Sequence, residues 1–202
     1  MSLDPGVRTF LTYFAEGSCG KIACQDFNRI AILCKRMDEL VSRMHQKGVR
    51  HKQRHRMKMA VWRMKWKIRD LIDELHHKAA NFLVKNFDLL LLPTFETSEM
   101  VIRGKRKIRS QTVRSMLTFA HYRFKRFLRY KCKEYGKKLV EVNEAYTSKT
   151  CSWNGVIKNI AGAKYIEDGN VCVGRDINAV CGVLIRSLSE LTSAGNLAVH
   201  SL

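Results

Sequence analysis

The sequence predicts an α/β domain: a mixed sheet flanked by helices, with a small irregular insertion before the last helix. Three observations predict it. Short β-branched or apolar runs alternate with long segments whose apolar residues recur every three to four positions. The 202 residues include only two prolines, Pro5 and Pro93, and no low-complexity linker, as expected of one compact unit. Read along the chain, the order is β-β-α-α-β-α-β-loop-α, and strands interleaved with helices favour a sheet with helices against it.

Residues 7–14 are rich in β-branched and aromatic types and predict a strand. Glu16 to Gly20 reads as a turn, and 21–25 as the antiparallel partner. From 28 to 47 the residues Ile30, Leu33, Met37, Leu40, Val41 and Met44 fall at helical spacing, and Gly48 breaks the pattern. A longer helix is predicted over 53–85, with Val61, Met64, Ile68, Leu71, Ile72, Leu75, Ala79 and Phe82 on one stripe. Phe87 to Leu92 reads as a buried strand stopped by Pro93. A third helix over 110–135 turns Val113, Leu117, Ala120, Phe124, Phe127 and Leu128 inward, and Gly136 ends it. Residues 138–143 predict another strand. The Gly-, Asn-, Ser- and Thr-rich stretch 146–175 reads as irregular. The last helix, 176–191, carries Ile177, Val180, Val183, Leu184 and Leu188, and 192–202 reads as a loose tail. The core is therefore expected over 1–145, the insertion over 146–175, and the closing helix over 176–191.

Charge narrows the function. Lys and Arg number 37 against 18 Asp and Glu, a net charge of +19. Such a field attracts polyanions, nucleic acid first. Apolar runs such as Leu89 to Leu92 are far too short to span a membrane. Met1 to Gly6 shows neither the basic nor the apolar region of a secretion signal. The seven cysteines form no C-x-x-C and read as reduced thiols of an intracellular protein, nuclear in a eukaryotic host and cytoplasmic otherwise. Ten Lys or Arg lie between Lys47 and Arg69, and no Asp or Glu occurs from 41 to 69. A merely solvated helix face would mix the signs, so Arg50, Lys52, Arg54 and Arg56 are candidate phosphate contacts. Arg103, Lys105, Arg106 and Lys107 form a second basic cluster, which also suits a nuclear address. Trp62 and Trp66, one turn apart, predict helix packing, with base stacking as the alternative.

Three acids stand where a carboxylate is awkward for stability and useful for chemistry. Asp4 precedes Pro5-Gly6, Glu96 follows the Leu-rich strand, and Asp176 opens the last helix. Singly they have ordinary readings: a turn residue, a solvated loop acid and a helix N-cap. Gathered at a sheet edge they would repel unless cations were present, and such a cluster suits hard ions such as Mg²⁺ or Mn²⁺.

The same segments resemble the RuvC-like nuclease core of the TnpB and Fanzor proteins, transposon-encoded relatives of type V CRISPR effectors. Asp4-Pro5-Gly6-Val7-Arg8-Thr9-Phe10 is similar to the first RuvC motif. Leu91-Leu92-Pro93-Thr94-Phe95-Glu96-Thr97-Ser98-Glu99 is similar to the second, and Arg175-Asp176-Ile177-Asn178-Ala179 to the third. Val142 to Cys151 resembles the segment that leads into the family's zinc-binding insertion. The resemblance implies an RNase H-like fold, a DNA endonuclease using two Mg²⁺ or Mn²⁺ ions, and Asp4, Glu96 and Asp176 as catalytic metal ligands. It places Tyr146, Lys149 and Arg175 near target nucleic acid. The alternative it leaves is a catalytically weak nucleic-acid-binding remnant.

Two departures from the family pattern carry expectations of their own. Of the four cysteines that hold zinc in the family's insertion, only Cys151 remains; Asn154 stands at the second position, and Ile166 and Gly169 at the other pair. No zinc is therefore expected, and an insertion without metal is expected to be mobile. Only three residues precede Asp4, where the family has a whole strand and, upstream, domains that grip guide RNA. The chain is thus expected to be a fragment or an incomplete gene product, to hold Asp4 loosely, and to meet guide RNA only when those domains are supplied.

Overall fold

The computed structural model describes residues 1–24, 26–95, 101–102, 108–142, 150–158 and 163–199, without the side chains of 26–27 and 191–199. The sheet is built from β1 (Ser2–Pro5), β2 (Thr9–Ala15), β3 (Ser18–Cys24), β4 (Leu89–Pro93) and β5 (Lys138–Val142), in the spatial order β3-β2-β1-β4-β5. β1, β2 and β3 run antiparallel as a meander, while β4 lies parallel to β1 and β5 parallel to β4. Between β3 and β4 stand α1 (Asp26–Met44) and the long α2 (His51–Asn86), which form a helical hairpin. Between β4 and β5 come α3 (Ser110–Phe119) and α4 (His121–Glu134).

Strand alternation assigns the two sheet faces. Leu3, Leu11, Leu90 and Leu92 join Ile72, Leu83 and Val84 of α2 and Leu128 of α4 in the main core. Leu83, Leu90 and Leu128 have no exposed surface, and each such burial stabilises the fold by about 1.5–3 kcal/mol. Leu91 and Val142 point to the opposite face, where they meet Val183 of the closing helix α5 (Arg175–Val199). The Ser2 hydroxyl donates to the Val180 carbonyl at 2.8 Å and seats that helix across β1. Helices thus cover both faces of one mixed sheet.

Four expectations are corrected. Asp4 does not sit beside the first strand: it lies within β1, in register with Thr12 of β2. A four-residue strand with proline at its end gives no readable pattern, and proline is tolerated there because its missing N–H falls at the strand terminus. The helix expected over 110–135 is broken at Ala120, whose φ of 51° and ψ of 51° are left-handed. Within the insertion, β6 (Tyr165–Asp168) and β7 (Val171–Gly174) form an antiparallel hairpin rather than irregular chain. Its two-residue turn, Gly169-Asn170, has Gly169 at φ 59°, the positive φ that tight hairpins require. The closing helix runs to Val199 rather than stopping near 191, consistent with the lack of proline in that stretch. Among the described residues no helix is long and apolar enough to cross a membrane.

Candidate active site

Register brings the first acid to its surroundings. Asp4 is paired with Thr12, and Thr12 with Lys21, so the three form a row across β1, β2 and β3 on one sheet face. That is the face α5 covers. With Val180 held over Ser2, the preceding turn of α5 lies toward the Asp4 end of β1. There the Asp176 carboxylate accepts from Lys21 Nζ at 3.1 Å, each side chain 40% exposed. Asp4 and Asp176 therefore share one face and one end of the sheet.

This end gathers the C-terminal ends of the parallel strands β1, β4 and β5. After β1 the chain turns toward β2 and β3; later it returns to lay β4 on the other side of β1. Such a switch in direction leaves a crevice outside the strand ends, where α/β sheets usually bind ligands. Glu96 lies outside the described residues, but the chain leading to it is fixed at this end. Pro93 is in register with Val142, Thr94 N–H donates to the Val142 carbonyl at 3.1 Å, and the Phe95 ring stands edge-on to His121 at 5.2 Å.

Three residues that pattern reasoning passed over hold this end in shape. Gly6 closes the turn after Asp4-Pro5; a Cβ there would come within 2.5 Å of the Thr9 carbonyl oxygen, so only glycine fits. The buried His121 donates from Nε2 to the Gly6 carbonyl at 3.0 Å, and its ring stacks on Phe10 at 5.1 Å. Burial lowers the His121 pKa to about 4, so the ring is neutral near pH 7. Asn178 has no exposed surface; its Oδ1 accepts from Ser152 N–H at 2.8 Å and its Nδ2 donates to the Thr150 carbonyl at 2.9 Å. It ties the start of the insertion to the first turn of α5, two residues from Asp176. The Asp-Ile-Asn run signalled Asn178, whereas nothing in the sequence signalled Lys21, whose role depends on register.

Asp4 and Asp176 offer hard carboxylate oxygens of the kind Mg²⁺ and Mn²⁺ prefer. Among the described residues no group of three His, Cys, Asp or Glu side chains is placed to hold a metal ion.

The sequence and fold have known counterparts. A Cas12f1-like TNB domain model matches residues 121–183, from α4 through the insertion into α5. A transposase-like protein of Paramecium bursaria Chlorella virus 1 is 32% identical over all of this chain and 46% of its own length. A TnpB-like protein of Acanthamoeba polyphaga mimivirus is 26% identical over 90% of this chain and 36% of its own. The chain is related to the TnpB-like proteins. It spans less than half the length of these two relatives. Among solved structures, Cas12f1 in its complex with sgRNA and target DNA superposes with a TM-score of 0.60, at 21% identity, over 90% of this chain and 48% of that one. The fold of this chain is accordingly RuvC-like.

The remaining candidates scatter. Arg50, Lys52, Arg54 and Arg56 are exposed at the N-terminal end of α2. They stand about 24 to 33 Å of helix rise before Ile72, on a helix that packs on the sheet face opposite the one bearing Asp4 and Asp176. Arg175 is half-buried at the start of α5, its N–H donating to the Lys164 carbonyl at 2.9 Å. Arg103, Lys105, Arg106, Lys107, Tyr146 and Lys149 lie outside the described residues. In the insertion, Cys151 is fully buried. Asn154, at the second ligand position of the family pattern, donates instead to the Asp168 carboxylate. Lys158 Nζ reaches the other oxygen of Asp168 at 2.8 Å. Hydrogen bonds from Lys158 and Asn154 hold the Asp168 carboxyl below its ordinary pKa.

Proposed function

We propose that this chain carries the nuclease core of a DNA endonuclease of TnpB type, dependent on Mg²⁺ or Mn²⁺. One observation carries the reading: Lys21 draws Asp176 to the sheet face and end where Asp4 stands. Asp4, Asp176 and Glu96 would hold the divalent ions. Bound there, such ions activate water and offset charge on the phosphodiester oxygens. The chain's own residues do the rest. Pairing of β1 with β2 positions the Asp4 backbone. Lys21 offsets the repulsion between carboxylates in the metal-free chain and, displaced from Asp176 by a bound ion, would offer its ammonium to the phosphate of an entering strand. Asn178 anchors the insertion beside Asp176, and His121 locks the turn after Asp4.

DNA is the proposed substrate, supported by the +19 charge and by the target DNA in the Cas12f1 complex. Guide RNA would enter with the further domains of a longer protein. The insertion is proposed to hold no zinc, since Asn154, Ile166 and Gly169 stand where the family pattern places thiolates, and Asn154 donates instead to Asp168. That same replacement favours the second reading, a DNA-binding remnant with weak catalysis.

Incubation with single-stranded DNA and Mn²⁺ separates the two. The nuclease reading expects cleavage by the parent chain and a loss of at least a hundredfold in Asp4→Ala and Glu96→Ala. Equal cleavage by all three would mean contamination and reject it. Binding without cleavage would leave the remnant.

A further inference from the structure

Helix α2 presents a second surface, remote from the acids. The side chains of Met59, Trp62 and Trp66 are 45%, 51% and 47% exposed, although they recur at three- and four-residue spacing along one face. Large aromatics at such spacing are ordinarily core. Here Ile72, Ala79 and Leu83 of the same helix take that role, and the tryptophans are left to solvent. The Arg69 guanidinium lies 3.7 Å over the centre of the Trp66 ring and only loosely, at 3.9 Å, beside Asp70. Arg69 and Lys65 also line a bowl of about 390 Å³ next to the stripe, floored by Cys34, Met37, Ile68 and Ile72. Two further arginines on the rim are engaged: Arg114 with Asp38 at 2.7 Å and Arg123 with Asp73 at 2.7 Å.

We propose that the Trp62–Trp66 stripe and the adjoining bowl form a stacking platform for single-stranded nucleic acid. Charge selects the occupant. The helix segment that bears the tryptophans sits in a stretch with eleven Lys or Arg and no acid from 41 to 69, so a polyanion is complementary to it and another basic protein surface is not. Spacing selects a single strand. The two tryptophans are four residues apart, about 6 Å of helix rise, nearly twice the roughly 3.4 Å between stacked bases of a duplex strand. Splayed bases of an unpaired strand meet such rings one by one. The bowl is open to solvent, apolar at its floor and cationic at its lip, which suits a base laid against it with its phosphate on Lys65 and Arg69. Because α2 lies on the sheet face opposite α5, a strand held here is not the one presented to Asp4 and Asp176. The platform therefore stands independently of any cleavage chemistry.

Fluorescence anisotropy with labelled oligo(dT), oligo(U) and a mixed-sequence duplex tests it. Trp62→Ala/Trp66→Ala should lose about tenfold or more in affinity for a single strand and little for the duplex. Trp62→Phe/Trp66→Phe, which keeps rings, should retain most of the parent affinity. Tryptophan emission of the parent should fall on saturation with oligonucleotide. Whichever of oligo(dT) and oligo(U) suffers the greater loss identifies the strand as DNA or RNA. Unchanged single-strand affinity in the alanine variant overturns the platform, as does an equal loss for duplex or equal losses in the alanine and phenylalanine variants. Concentration-dependent dimers that the alanine variant abolishes would assign the stripe to a second copy of the chain and also overturn it.

Discussion

Lys21 and Asp176, 155 residues apart in sequence, meet at 3.1 Å across the edge between sheet and closing helix. The pair is 40% exposed on both sides, so it contributes at most about 1 kcal/mol to stability. Its weight is electrostatic and local: an ammonium on one acid, in the same cross-strand row as another.

Lys21→Met therefore should leave the melting temperature nearly unchanged and alter metal affinity. The ammonium competes with a divalent ion for the Asp176 oxygens. Calorimetric titration with Mn²⁺ should show binding several-fold tighter in Lys21→Met than in the parent. Weaker binding would mean that Lys21 supports the metal site rather than competing with it.

Asn178→Ala should destabilise the fold. It removes two hydrogen bonds made by a fully buried side chain, to the Thr150 carbonyl and from the Ser152 N–H. The expected loss is about 2–4 kcal/mol, a fall in melting temperature of roughly 5–12 °C for a chain of this size. Calorimetric or dichroic melts check it. A change below the error of the melt would show that the tie between insertion and α5 is not stabilising.

Stability should decline on acidification. His76 donates to the Phe119 carbonyl at 2.8 Å, and His121 to that of Gly6; burial lowers both pKa values to about 4. The unfolded rings titrate near 6.5, so between there and pH 4 the unfolded state binds more protons. Stability present above pH 6.5 is then lost as the pH falls, by on the order of 3 kcal/mol per ring at pH 4. Urea midpoints measured from pH 7 to pH 4.5 should fall steadily. A flat profile would show that the rings accept protons without unfolding.

The insertion should be indifferent to chelation. If the contacts of Asp168 with Asn154 and Lys158 close it, EDTA leaves the melt unchanged, and Asp168→Ala speeds amide exchange in β6 and β7. One equivalent of zinc found by elemental analysis would overturn that account.

How much of this was legible depends on the range of each interaction. Helix α1 was readable because Ile30, Leu33, Met37 and Met44 announce their face locally. β4 was readable from four leucines before Pro93. β1 was not, since Ser2 to Pro5 becomes a strand only through partners in β2 and β4. The break at Ala120 has neither Gly nor Pro to announce it. The hairpin turn at Gly169-Asn170 was readable in principle but was masked by the polar composition around it. Of the site, Asp4 and Asp176 were visible through their motifs, and Asn178 sat in plain view without a role. Lys21 was invisible, because Thr12 and Lys21 reach the row of Asp4 only through pairing register. The spacing of Trp62 and Trp66 predicts packing, whereas both stand half exposed, since Ile72, Ala79 and Leu83 supply the core face of α2.

The central claim is that the carboxylates of residues 4 and 176 serve one divalent-metal site. Mn²⁺ titration of the intact chain, followed by the spin-resonance signal of free ion, tests it most directly. The account predicts saturable binding by the parent and a loss of at least tenfold in affinity in both Asp4→Asn and Asp176→Asn, with unchanged melts. Parent-like Mn²⁺ binding in either variant would contradict it.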